Sequence, residues 1–115
     1  MTRIYHNPRC SKSRATLALL QEHDIEPEVV LYLESPPDSS TLKQLTEALD
    51  CSIHDIMRSG EPVYKELKIG DSEKDEDSLI RFVIENPILL ERPIVTHAGK
   101  AAIGRPPEKV LTLFK

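Results

Sequence analysis

Tyr5-His6-Asn7-Pro8-Arg9-Cys10-Ser11-Lys12-Ser13-Arg14 is the part of the chain whose residue types and order could do chemistry. It places one cysteine where a short apparent strand gives way to a strongly helical segment. A thiol at a helix N-terminus faces unpaired backbone N–H groups and the positive end of the helix dipole, and both favour thiolate over thiol. Arg9, Lys12 and Arg14, with His6 close in sequence, add positive charge, and no Asp or Glu occurs before Glu22 to offset it. This is a way to build a reactive, anion-attracting cysteine. The competing reading is a small buried apolar residue beside a solvated helix start, although cations are mildly unfavourable at that end of a helix.

The rest of the composition limits what such a cysteine can belong to. A chain of 115 residues is one domain of ordinary size, able to bury a core without metal or disulfide support. Cys10 and Cys51 are the only cysteines. No Cys-x-x-Cys pair or Cys/His series appears, so no metal site is expected. The chain reads from its start into a strand pattern, without an apolar run suited to a signal peptide or membrane span. A cytoplasmic, thiol-reducing setting is therefore expected. A net charge of −4 argues against general nucleic-acid binding. Charge is unevenly spread: residues 3–14 are basic, residues 61–77 are acidic, and the tail from Arg92 onward is basic again. If the two ends meet, they form a positive site on an acidic protein.

The elements that must position Cys10 follow from periodicity. Residues 3–6 read as a strand ended by Asn7-Pro8, and 11–23 as a helix with Leu17, Ala18 and Leu20 inward. Residues 29–33 form a β-branched run expected to be a buried strand, stopped at Ser35-Pro36-Pro37-Asp38. Strand, helix, strand is the unit that pairs strands in parallel. A helical middle follows. Leu42, Leu45, Ala48 and Leu49 repeat at helical spacing behind a Ser39-Ser40-Thr41 cap. Ser52 to Asp55 resembles a capping box opening a short helix through Met57 and Arg58. Pro62 starts another short helix, 68–74 read as a loop, and 75–85 as a helix burying Leu79 and Val83. The period then changes to a β-hairpin turning at Ala98-Gly99. Gly104 breaks its second strand, and Pro106-Pro107 opens a last helix with Val110, Leu111 and Phe114 inward. This is an α/β chain, a thioredoxin-like βαβ–ββα core with a helical insertion at about 39–90, in a single domain, 1–115. In such a core Pro93 is a cis-proline candidate close to the cysteine. The ββα end would bring Arg92 and Arg105 near Cys10, where a permanently charged planar fork suits an oxyanion.

These separated motifs resemble the glutaredoxin-coupled arsenate reductases over nearly the whole length. The residues that carry the resemblance are Tyr5-His6-Asn7-Pro8 leading to Cys10, Ser13-Arg14, Leu31-Tyr32-Leu33-Glu34, Met57-Arg58, Arg92-Pro93-Ile94-Val95 and Gly104-Arg105-Pro106. The resemblance implies that Cys10 is the nucleophile and that Arg58, Arg92 and Arg105 bind the oxyanion. It also implies that His6 is an electrostatic or proton-transfer partner and that Ser13 can hydrogen-bond to the thiolate; Arg14 is a further electrostatic contributor. The implied reaction is arsenate reduction through a covalent Cys10–arsenic intermediate, with glutathione as co-substrate and glutaredoxin as partner, and with no bound cofactor. Cys51 is read as a semi-buried apolar residue, so the missing thiols come from outside. Many members carry Gly-Thr after the cysteine; Ser11-Lys12 here adds charge and bulk at the pocket mouth.

Other readings use the same residues differently. Phosphatase-type reductases need Cys-x5-Arg, but that position is Thr16. A monothiol glutaredoxin-like oxidoreductase would use Cys-x-x-Ser with Pro93 and has no need of three arginines. A non-enzymatic, RNA-polymerase-binding redox regulator would be expected to carry Cys-x-x-Cys, which Ser13 interrupts.

Overall fold

In the computed structural model, residues 1–70 and 75–114 are described; the expected loop at 68–74 thus lies partly outside the described residues. The chain divides into two compact units. The first is Met1–Ser35 with Arg92–Lys115, and the second is Pro36–Glu91.

The first unit is built on four strands, β1 (Thr2–His6), β2 (Glu28–Leu31), β3 (Ile94–His97) and β4 (Lys100–Ile103), in the order β2-β1-β3-β4. β1 runs parallel to β2, with Ile4 opposite Val29, and antiparallel to β3, with Ile4 opposite Val95. The parallel pair requires a crossover, which α1 (Ser11–Glu22) supplies. β3 and β4 form the expected hairpin. Ala98 and Gly99 both have positive φ, 52° and 81°, as a two-residue turn matched to strand twist requires.

Ile4, Leu20, Val95, Val110 and Leu113 form the core of this unit, with Leu17, Ile25, Ala102 and Phe114 packed against it. Burial of this apolar surface is the main force holding α1 and the C-terminal segment to the sheet.

Three details differ from the periodicity reading, each for a local reason. α1 buries Ser13, Thr16 and Leu20 and leaves Ala18 exposed. The first turns of its inner face look onto the Asn7–Cys10 loop and Gly104, where hydroxyls find partners. β2 is an edge strand, and Val29 and Leu31 remain about 40% exposed; a β-branched run does not distinguish edge from centre. It ends at Leu31 because that carbonyl accepts both the Glu34 and Ser35 N–H groups. The final helix, Pro107–Phe114, is 3-10 throughout, so its buried residues are Val110 and Leu113, not Leu111. Three residues per turn sets that spacing.

The second unit contains α2 (Ser39–Leu49), α3 (Pro62–Glu66) and α4 (Glu76–Glu85). Asp38, one residue before the expected cap, accepts the Thr41 N–H at 2.8 Å and starts α2. Asp75 does the same for α4 through Ser78. The Ser52–Asp55 capping box forms, with Ser52 N–H donating to Asp55 Oδ2 at 3.0 Å and Asp55 N–H directed at Ser52 Oγ at 3.4 Å. It opens only one 3-10 turn, His54–Ile56. Met57 is then claimed by a bridge to Leu90, and Arg58 N–H donates to the Leu89 carbonyl at 2.7 Å.

Of the four glycines, Gly104 is the most closely approached. A Cβ there would lie 2.5 Å from Thr16 Oγ1 and 2.8 Å from Pro93 Cγ. Overpacking of this kind costs about 1–3 kcal/mol. Gly104→Ala is therefore expected to lower the unfolding free energy by that amount, read as a lower urea midpoint at an unchanged slope, and an unaltered midpoint would contradict the packing.

Candidate active site

Cys10 is the N-cap of α1 and follows β1 by a tight loop. The loop is built by Asn7, which is buried. Its carbonyl accepts the Cys10 N–H at 3.0 Å, and its side-chain Oδ1 accepts the Arg9 N–H at 2.9 Å. Asn-Pro after a strand is a turn signal, and it could have marked Asn7 as part of the site as well as the end of β1.

The Cys10 thiol feels opposing forces. Partial burial pushes its pKa up. The backbone N–H of Ser13, the Arg92 guanidinium and the backbone N–H of Lys12 pull it down and prevail, leaving the thiol below its ordinary value. These are the helix-start amides and cations that favour a thiolate. Arg105 Nη1 lies 3.9 Å from Cys10 Sγ and donates to the Arg92 carbonyl at 3.0 Å. One guanidinium thus ties the cysteine loop to the start of β3. The Arg92–Pro93 bond beside it is cis, and so is Arg105–Pro106, which nothing in the sequence marked.

His6, Ser13, Arg14 and Lys12 belong to the same unit as Cys10. His6 is buried, and its Nδ1 lies 2.6 Å from Ser13 Oγ. Ser13 Oγ also accepts the Asn7 N–H at 3.0 Å. The Ser13 hydroxyl is thus engaged with His6 and the loop, and its backbone N–H is the group that acts on the sulfur. Burial first, and the Arg14 charge second, lower the His6 pKa, so its imidazole is neutral at pH 7. Arg14 is exposed and donates to the Pro8 carbonyl at 2.9 Å. Lys12 is exposed beside Cys10. Thr16 donates to the Lys12 carbonyl at 2.8 Å and lies against Gly104, a supporting contact the sequence reading did not assign.

Arg58 belongs to the second unit, where it pairs with Glu91 at 2.8 Å and Glu61 at 3.3 Å. Cys51, also there, is half-buried, and burial followed by the charges of Asp55 and Asp50 raises its pKa. Among the described residues no cluster of His, Cys, Asp and Glu could hold a metal ion. Among the same residues no helix is long and apolar enough to cross a membrane.

A cysteine on the first helix after a βα step, with a cis-proline opening the adjacent antiparallel strand and two arginines at the sulfur, defines a thioredoxin-like thiol protein adapted to anions. The ArsC family matches residues 5–113, and the chain belongs to that family. It is 56% identical to the uncharacterized protein YfgD of Escherichia coli (strain K12), over 96% of this chain and 94% of that protein. It is 50% identical to an arsenate reductase of Neisseria meningitidis serogroup A, over 94% of this chain and 93% of that one. The solved structure of an arsenate reductase from Vibrio cholerae superposes with a TM-score of 0.94 at 49% identity, covering 97% of this chain and 96% of that one.

The two cysteines are predicted to separate by pH. Alkylation of Cys10 should show a midpoint below about 8.5, the value of a free cysteine, and that of Cys51 a midpoint above it. Peptide mapping after iodoacetamide treatment reads both sites, and the reverse order would contradict the electrostatics. Because the folded pKa of Cys10 is depressed, its contribution to stability is present above the unfolded-state pKa and is lost as pH falls through the folded value.

Proposed function

We propose that the protein is an arsenate reductase that uses Cys10 as nucleophile and takes its reducing equivalents from glutathione and glutaredoxin. The observation that carries this reading is the meeting of a lowered-pKa thiol with Arg92 and Arg105 at the start of α1. A thiol–disulfide exchanger needs the thiolate, whereas two arginines at the sulfur suit a tetrahedral dianion as well. The names of the similar proteins support the choice of arsenate.

In the proposed reaction the arginines bind arsenate and hold Cys10 as thiolate. The sulfur attacks arsenic(V) and an S–As bond forms, while an As–O bond breaks as an arsenate hydroxyl takes a proton from solvent and leaves as water. Fixed guanidinium groups stabilise the charge that develops. Two external thiols then give up one electron each and become a disulfide. Arsenic leaves as arsenite in the +3 state, and Cys10 returns as thiolate. Cys51 takes no part, because burial and the neighbouring carboxylates raise its pKa and disfavour the thiolate. The neutral His6 holds Ser13 and, through it, the cysteine loop. Arg58 enters as an oxyanion ligand on the strength of the resemblance, and a cytoplasmic location follows from the need for reduced thiols.

Assays with arsenate, glutathione and glutaredoxin test this, run beside arsenate-free thiol turnover. Cys10→Ser should abolish arsenate reduction, and Arg92→Ala should lower kcat/KM about 10²- to 10³-fold, as loss of an oxyanion donor does. Cys51→Ser should stay within about twofold of the wild type, there being no transition-state contact to lose. Reduction that survives Cys10→Ser, or thiol turnover equally fast without arsenate, would contradict the proposal.

A further inference from the structure

A hollow adjoins the cysteine loop on the side of β2. It has a volume of about 360 Å³ and is lined by His6, Asn7, Pro8, Arg9, Leu31, Leu33 and Glu34. Its lining belongs wholly to the first unit. Two of its walls, Pro8 and Arg9, run directly into Cys10. Its apolar wall contains Leu31 and Leu33, each 38% exposed; with Val29 and Met1 these are the exposed large hydrophobic side chains among the described residues. Its rim carries one cation, Arg9, and one anion, Glu34. Both are exposed, and neither side chain forms an ion pair or hydrogen bond within the described residues. Arg14, by contrast, is drawn onto the Pro8 carbonyl.

Two opposite charges that share one hollow without neutralising each other, over an apolar wall, suit a ligand that is itself amphoteric. The volume is at the small end of ligand sites, about 300–1,000 Å³, which fits a molecule of a few residues. We propose that this hollow is the subsite for the small thiol co-substrate, a peptide bearing both a carboxylate and an ammonium group. Arg9 takes the carboxylate, Glu34 takes the ammonium group, and the aliphatic part rests on Leu31 and Leu33. The thiol is thereby held beside Cys10 while Arg92 and Arg105 remain committed to the oxyanion. This inference rests on the reductase reading for the ligand's purpose. The charges and the cavity that define the ligand are independent of that reading.

Binding can be measured without turnover by titrating the 15N-labelled protein with S-methylglutathione, which has no free thiol. The amides of Asn7, Arg9, Cys10 and residues 31–34 should shift together. Arg9→Glu and Glu34→Lys should each weaken binding about tenfold, the scale of one charge-assisted contact. A carboxyl-amidated S-methylglutathione should bind the wild type more weakly and be indifferent to Arg9→Glu. In coupled assays the same substitutions should raise the KM for glutathione by a larger factor than the KM for arsenate. Shifts confined to other residues, or affinities unmoved by both charge reversals, would overturn the subsite; so would the absence of any shift, as expected if the thiol arrives only on a protein. If the wild type binds S-methylglutathione here yet does not reduce arsenate, the reductase reading fails and the subsite stands.

Discussion

The local structure of the site follows from holding one sulfur at the start of α1 against the Ser13 and Lys12 amides. Burial works against that charge, and without compensation it would leave Cys10 an inert thiol. The amides act on the sulfur from the first turn of α1, where a helix start exerts its pull. Arg92 supplies the rest, and Arg105 bonds the Arg92 carbonyl while lying near the sulfur. The same positive environment that stabilises a thiolate before reaction would hold an oxyanion during it. That double use explains why a cysteine with no second cysteine near it in sequence stands among so many cations.

Holding the sulfur there depends on a short chain of polar contacts. Asn7 closes the loop through its carbonyl and its side chain, Ser13 fastens the Asn7 amide, and His6 fastens Ser13. His6 contributes by position, since a buried neutral imidazole adds no charge to the thiol. Across the helix, Thr16 and Pro93 close on Gly104, which leaves no room for a side chain one residue before Arg105. The cation is therefore placed by backbone packing as much as by its own bonds.

Much of this was legible in the sequence because it is local. The strand–turn–helix step around Cys10, the hairpin at Ala98-Gly99 and the capping box at Ser52 to Asp55 are short-range signals, and the structure contains all three. What periodicity misjudged depends on partners distant in sequence. Residues 29–33 read as a buried strand because Val and Leu look alike at an edge and a centre. Leu111 read as inward because a 3.6-residue period was assumed where the chain takes three per turn. Met57 and Arg58 read as helical because the bridge to Leu89 and Leu90 cannot be seen from either segment alone. The approach of Arg92 and Arg105 to Cys10 was foreseeable only once a fold was assumed. The hollow beside Arg9 was not foreseeable, since it arises where the ends of two parallel strands lie side by side.

Arg92 helps to lower the pKa of Cys10, and the ultraviolet absorbance of the thiolate against pH tests this most directly. In a Cys51→Ser background the Cys10 midpoint should lie below about 8.5, and adding Arg92→Ala should move it upward. A midpoint at or above the free-cysteine value, or one that Arg92→Ala leaves in place, would contradict the account.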